Sequence, residues 1–159
     1  MPDYLAQVLW RRRSNESFLD GRYSREHEYH FDGGVIVPAS SAVHSVPEPY
    51  SNPRCVDPEE AFVAAISSCH LLTFLYLAAK GGLVVDRYTD QARGTMGCIA
   101  GGRQALTCVL LSPQIAFSGE LAPNETQIEH LHHAAHEECY IANSVRCEIL
   151  IQGRWSYQF

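Results

Sequence analysis

From Ala61 to Ala79 the chain carries no Asp, Glu, Lys or Arg, and this uncharged run is closed off sharply at both ends. Before it stands Asp57-Pro58-Glu59-Glu60, and after it Lys80-Gly81-Gly82. Asp57 suits an N-cap, Pro58 the first helical position, and Glu60, three residues past the cap, completes a capping-box arrangement. Paired glycines end helices, because a left-handed residue satisfies the last carbonyls. A helix is therefore predicted from about Pro58 to about Lys80. Its length approaches that of a membrane span. At its centre, however, lie Ser67-Ser68-Cys69-His70, polar groups that hydrocarbon penalises, and Ala rather than Leu dominates the rest. The expectation is a helix buried inside a protein, with no membrane involved. Phe62, Ala65, Ile66, Cys69, Leu72 and Tyr76 share one stripe and Ala64, Leu71 and Leu75 another, so the helix should be covered on most sides.

The flanking segments read as strands. Tyr4 to Arg13 and Arg25 to Val37 alternate partially, punctuated by Asp20-Gly21 and Asp32-Gly33-Gly34. Five prolines between Pro38 and Pro58 indicate an ordered surface loop. Leu83 to Met96 and Gln104 to Phe117 read as two longer strands around a turn near Gly101-Gly102. A second helix should begin around Pro123 and Asn124, with Ile128, Leu131, Ala135 and Cys139 on one buried stripe. Val145 to Gln152 closes the chain as a strand. Strands, helix, strands, helix and strand make an α+β protein, and the 159 residues are expected to form one domain, 1–159.

A net charge of −6 excludes a nucleic-acid surface of the ordinary kind, since Arg11-Arg12-Arg13 is the lone basic cluster. The opening MPDYLAQVLWRRR shows neither a basic leader before an apolar stretch nor a small-residue cleavage site, so a cytoplasmic location is expected. In that compartment the six cysteines should be thiols, and a disulfide among them catalytic or regulatory rather than structural.

Cys55, Cys98, Cys108 and Cys147 read as small apolar residues or incidental thiols. Cys69 differs, because Ser67, Ser68 and His70 around it leave room for a ligand at the sulfur. Only a thiolate attacks, and it needs a nearby positive charge. The helix dipole fades within the first turn, twelve residues before Cys69 in this chain. His70 points about 100° away around the helix. An arginine from elsewhere is the better candidate.

Three stretches stand out: DPEEAFVAAISSCHLLTFLYLAAKGG, then LHHAAHEECYIANSVR some seventy residues later, and upstream SREHEYHFDGG. Together they resemble the osmotically inducible protein C / organic hydroperoxide resistance (OsmC/Ohr) family, and the last is similar to the strand and turn before the central helix in one OsmC-like branch. The resemblance spans nearly the whole chain. It implies an OsmC-like fold, with antiparallel sheets packed around a long central helix, and an intertwined homodimer with two active sites at its interface. It implies a thiol-dependent peroxidase that reduces organic hydroperoxides, is recharged by a dithiol such as a lipoylated protein, and uses no cofactor. By motif match Cys69 is the peroxidatic cysteine, Cys139 the resolving one and Glu59 the active-site glutamate. Arg25 matches the activating arginine by position, with Arg22 and Arg54 as substitutes. Glu59 precedes Cys69 by ten residues, a rise of ~15 Å along a helix, so it must act across the dimer or the helix must break. The second sulfur departs from the Cys-Pro context of the Ohr type, standing in Cys139-Tyr140-Ile141.

Two other readings use the same residues. A redox sensor or ligand-binding protein would switch through Cys69 and Cys139 without turnover. A zinc site would take His132 and His136, four apart on the second helix, with Cys139 three residues on.

Overall fold

The computed structural model describes residues 2–158. They form two compact units, residues 1–61 and 62–159, with the boundary inside the first turns of the long helix.

The first unit is built on an antiparallel sheet of β1 (Ala6–Leu9), β2 (His27–Phe31) and β3 (Ile36–Ala39), in that order. Asp32-Gly33-Gly34 makes the hairpin turn, with Gly34 at φ 82°, a left-handed conformation that glycine adopts without strain. Phe18 and Tyr23 stack, and Trp10 packs edge-on to Tyr23, in an aromatic cluster of the same unit. The proline-rich loop is ordered by its own polar contacts. Ser40 N–H donates to Val56 O, its hydroxyl accepts from Asn52 N–H, and the Asn52 amide donates to Glu26 at 2.7 Å. That Asn52 bond, with help from Arg13, keeps the Glu26 carboxyl below its ordinary range.

Helix α1 (Pro58–Lys80) starts and stops where its capping residues direct. Glu60 N–H donates to Asp57 Oδ1 at 2.8 Å, and the Glu60 carboxylate accepts from Asp57 N–H at 3.2 Å. At the other end Gly82 adopts φ 77°, and Leu83 N–H returns to Ala78 O.

The second unit differs from the expected two long strands. Each is broken in two: β4 (Val84–Asp90) and β5 (Arg93–Ile99), then β6 (Arg103–Leu111) and β7 (Pro113–Ser118). After α2 (Glu125–Glu138) and a 3-10 turn at Ala142–Ser144, β8 (Glu148–Ile151) is followed by β9 (Arg154–Tyr157), a strand the sequence reading did not include. The pieces sort into two three-stranded sheets, β4-β7-β9 and β5-β6-β8. All three ribbons bend at one level, and Asp90 serves the corner: its carboxylate accepts the Ser112 N–H at 2.6 Å and the Ser67 hydroxyl of α1 at 2.5 Å. A bent ribbon keeps its apolar alternation through the corner, which is why the break left no mark in the pattern. Nor are the sheets purely antiparallel. β8 runs parallel to β6 and β9 to β7, because α2 is a crossover that returns the chain to the same starting end.

Each sheet covers one half of α1. Phe74 and Ala78 join Leu83, Ile115, Phe117, Ile128 and Ala135 in one apolar core, and Ile66 joins Val109 and Leu111 in the other. The predicted cover on most sides of α1 is not met by these two sheets. The buried stripe is Ile66, His70, Phe74 and Ala78, whereas Ala64, Ala65, Leu72 and Tyr76 are exposed. Both sheets of this unit lie to one side of α1, and the stripe they cover includes a histidine that an apolar count passes over.

Candidate active site

Cys69 and His70 fall on α1 between the two apolar cores, level with Ser67 and the Asp90 corner. Cys69 is half-buried. Opposite it stands the end of α2, whose start is fixed by Asn124: its side chain accepts from Gln127 N–H at 2.9 Å, and the Gln127 side chain accepts from Asn124 N–H at 3.0 Å. Ile128, Leu131 and Ala135 pack into the larger core, as the stripe predicts. Cys139 is the C-cap rather than the last helical residue, and it is 1% exposed. Its carbonyl accepts from both the backbone and the side-chain amide of Asn143, and Ala142 N–H donates to its sulfur at 3.3 Å. The turn thus aims one side chain at α1.

The Cys139 thiol donates to the Cys69 sulfur, with the two Sγ atoms 2.6 Å apart across seventy residues of sequence. Burial first, and then the Cys69 contact, push the Cys139 thiol up to about 11. It therefore stays a thiol at neutral pH. A half-exposed acceptor sulfur beside a buried thiol is an arrangement able to close a disulfide once the outer sulfur is oxidised.

His70, next to Cys69 along α1, belongs to a pair of groups that no spacing in the sequence brings together. His70 Nε2 lies 3.1 Å from His132 Nδ1, with both rings buried. His132 does not pair with Cys139, as the zinc reading requires. Among the described residues no three His, Cys, Asp or Glu side chains converge on a metal-sized point. Spacing alone offered His132 to His136 as a partner. What could have revealed His70 is its polar character on a helix otherwise uncharged for nineteen residues.

The remaining named residues lie in the first unit. Glu59 is in the first turn of α1, and its charge, with that of Asp57, reaches Tyr29 and adds to the burial that raises that phenol. The helix is continuous from Pro58 to Lys80, so it does not break between Glu59 and Cys69. Arg25 is half-buried; its guanidinium donates to the carbonyls of Gly21 at 2.6 Å and Tyr23 at 2.5 Å, and stacks 3.8 Å above the Tyr23 ring. Arg22 and Arg54 are exposed, and Arg22 lies 3.9 Å from Asp20.

Comparison with known proteins gives these contacts a context. A family model described as OsmC-like protein matches residues 51–152. An OsmC-like protein of unknown function from Vibrio cholerae is 48% identical over 97% of this chain and 100% of its own, with a TM-score of 0.94. Two more distant structures share the fold. An organic hydroperoxide resistance protein from Elizabethkingia anophelis is 16% identical, with 99% of each chain covered and a TM-score of 0.63. The organic hydroperoxide resistance protein OhrB of Bacillus subtilis is 15% identical, with 96% of this chain and 98% of its own covered and a TM-score of 0.58. No curated protein sequence matches the chain.

Proposed function

The chain belongs to the OsmC-like protein family, and from that premise we propose that it is a thiol peroxidase reducing organic hydroperoxides through Cys69 and Cys139. The observation that carries this reading is the sulfur contact of 2.6 Å. Relatives of the same fold named for hydroperoxide resistance support the choice of substrate class.

The cycle has three balanced steps. The Cys69 thiolate attacks the outer oxygen of the hydroperoxide; the O–O bond breaks, sulfur gains the hydroxyl as a sulfenic acid, and the alkoxide takes a proton to leave as an alcohol. The Cys139 thiol then displaces that hydroxyl, forming the disulfide and releasing water. An external dithiol, such as a lipoylated protein, takes over the disulfide and returns two thiols. A thiol held at about 11 does not compete for peroxide, and its contact with Cys69 lets it condense with the sulfenic acid as soon as that forms.

Arg25 is assigned the stabilisation of the thiolate, and Glu59 the orientation of that arginine. Because α1 is unbroken, Glu59 is assigned to the site of a second copy in a homodimer. Support for a second copy comes from apolar side chains left open on α1, Leu72 and Tyr76, and on the first strand, Val8 and Leu9. The protein is assigned to the cytoplasm, where reduced dithiols are supplied.

The test is hydroperoxide consumption with dihydrolipoamide for wild type, Cys69→Ser and Cys139→Ser. Turnover is expected from the wild type alone, and Cys139→Ser should stop after one equivalent with a sulfenic acid on Cys69. Undiminished turnover in Cys69→Ser removes the proposed nucleophile. A single stoichiometric oxidation of the wild type favours the redox sensor instead.

A further inference from the structure

The chemistry above uses two sulfurs and leaves two buried imidazoles, one residue and two helical turns away, without a task. His70 follows Cys69 on α1 and is 1% exposed, while His132 precedes Cys139 by seven residues on α2 and is 9% exposed. Seven residues are close to two full turns, so His132 and Cys139 project from the same side of α2. The helices are thus joined at two points: sulfur to sulfur, and Nε2 of His70 to Nδ1 of His132 at 3.1 Å. The rings lie nearly parallel, with 11° between their planes and centroids 5.4 Å apart.

This contact requires one ring nitrogen to carry a proton and the other to offer a lone pair, so the rings serve it while neutral. Their surroundings keep them so. Burial is the main cause that holds each at about 4; the fields of His132 and His136 act in the same sense on His70, and Asp90 opposes on His132 without reversing it.

His132 has little freedom to satisfy itself elsewhere. Its Nε2 is fully buried with no hydrogen-bond partner among the described residues. Phe74 packs 4.6 Å from the ring centre, and a Cβ added at Gly153 would come within 3.0 Å of Nε2 and 3.2 Å of Pro113. The imidazole therefore sits against backbone that leaves no room for a side chain, with His70 on its other edge. Leaving a buried ring nitrogen unpaired is unfavourable, so the arrangement calls for a return elsewhere in the molecule.

We propose that His70 and His132 are positioning residues, whose mutual hydrogen bond sets the register of α1 against α2 and so holds the Cys139 sulfur on Cys69 for disulfide closure. The inference rests on the sulfur pair of the proposed function and adds the device that keeps it aligned. The imidazoles contribute no atom to the step: sulfenic acid and thiol become disulfide and water with or without them. What they supply is orientation, which raises the effective concentration of one sulfur at the other.

The test is the thiol–disulfide equilibrium with glutathione at pH 7.5, where dithiol protein and oxidised glutathione exchange for disulfide protein and two reduced glutathiones. The Cys69–Cys139 peptide pair is read by mass spectrometry after acid quenching and alkylation. No peroxide is present, so a protein that fails as a peroxidase still gives a reading. His132→Asn keeps an amide group at the Nδ1 position but leaves a smaller side chain; His132→Phe fills the ring volume but removes the hydrogen bond. The asparagine variant is expected to stay near the wild-type constant. The phenylalanine variant is expected to fall by about tenfold, the upper range of one net hydrogen bond. A role in filling space predicts the opposite order.

Should His132→Phe not fold by circular dichroism, His70→Gln, which keeps a polar atom at the Nε2 position, against His70→Leu makes the same comparison with the same readings. A wild-type constant in the apolar variant, or equal losses in both members of a pair, overturns the proposal alone. A wild type that never forms the Cys69–Cys139 disulfide overturns it together with its premise.

Discussion

The two sides of α1 are made of similar residues and meet different fates. On one side Ile66, His70, Phe74 and Ala78, each four residues from the last, are at most 1% exposed under the two sheets. On the other, Leu72 and Tyr76 are 64% and 62% exposed. Composition does not separate them, since the open side is as apolar as the closed one and the closed one contains the histidine. What separates them is the corner in the β-ribbons. The two sheets meet over Ser67 and Asp90, and only the stripe beneath that corner is covered. The two cysteines of the proposed function sit where the two cores meet, and the opposite side is left for another copy of the chain in the dimeric reading.

The largest effect expected from this contrast is at Phe74, which lies under both Phe117 and the His132 ring. Phe74→Ala should destabilise the fold by about 3–5 kcal/mol in denaturant titration, through lost transfer energy and the cavity left behind. A loss no larger than that of an exposed-side variant would erase the distinction between the two sides.

Next comes the imidazole pair. Both rings are held at about 4 against 6.5 in the open, so between those values the unfolded chain binds protons that the folded chain refuses. The stabilising contribution is complete above about pH 6.5 and is lost as pH falls through the window toward 4, on the order of 3 kcal/mol for one ring. Chemical denaturation across that range checks it, and His70→Gln should flatten the slope. A wild-type stability that stays level from pH 7 to 4 would contradict the neutral pair.

The cap at the head of the helix is a smaller matter. Asp57→Ala removes the acceptor of the Glu60 N–H and should lower stability by about 1 kcal/mol, leaving the sulfur pair intact. Least of all, Leu72→Ala should change the stability of a single chain by no more than about 0.5 kcal/mol, far below the value for a buried leucine. Sedimentation sharpens the point: if the open side is a dimer contact, Tyr76→Lys should shift the protein toward monomer, and an unchanged mass would take that side out of the interface.

Much of this is legible in the sequence. The helix boundaries followed from Asp57, Pro58 and Gly81-Gly82, because caps are local chemistry and act whatever the surroundings. The stripe of α2 followed from Ile128, Leu131 and Ala135, and the two sulfurs were named from their motifs. The breaks at Gln91 and Ser112 were not legible, since a ribbon that bends keeps its alternation and Asp90 acts from a distance in sequence. The covered side of α1 was hidden for the same reason. Cover is a tertiary fact, and His70 interrupted the one apolar stripe that receives it. The His70–His132 pair joins residues 62 positions apart, beyond the reach of any spacing rule.

Which sulfurs join decides whether Cys69 and Cys139 are the working pair. Wild-type protein treated with one equivalent of an organic hydroperoxide, alkylated and digested without reduction, should yield a single major cross-linked peptide pair containing Cys69 and Cys139. A principal disulfide through Cys55, Cys98, Cys108 or Cys147, or Cys69 recovered as a free thiol, would contradict it.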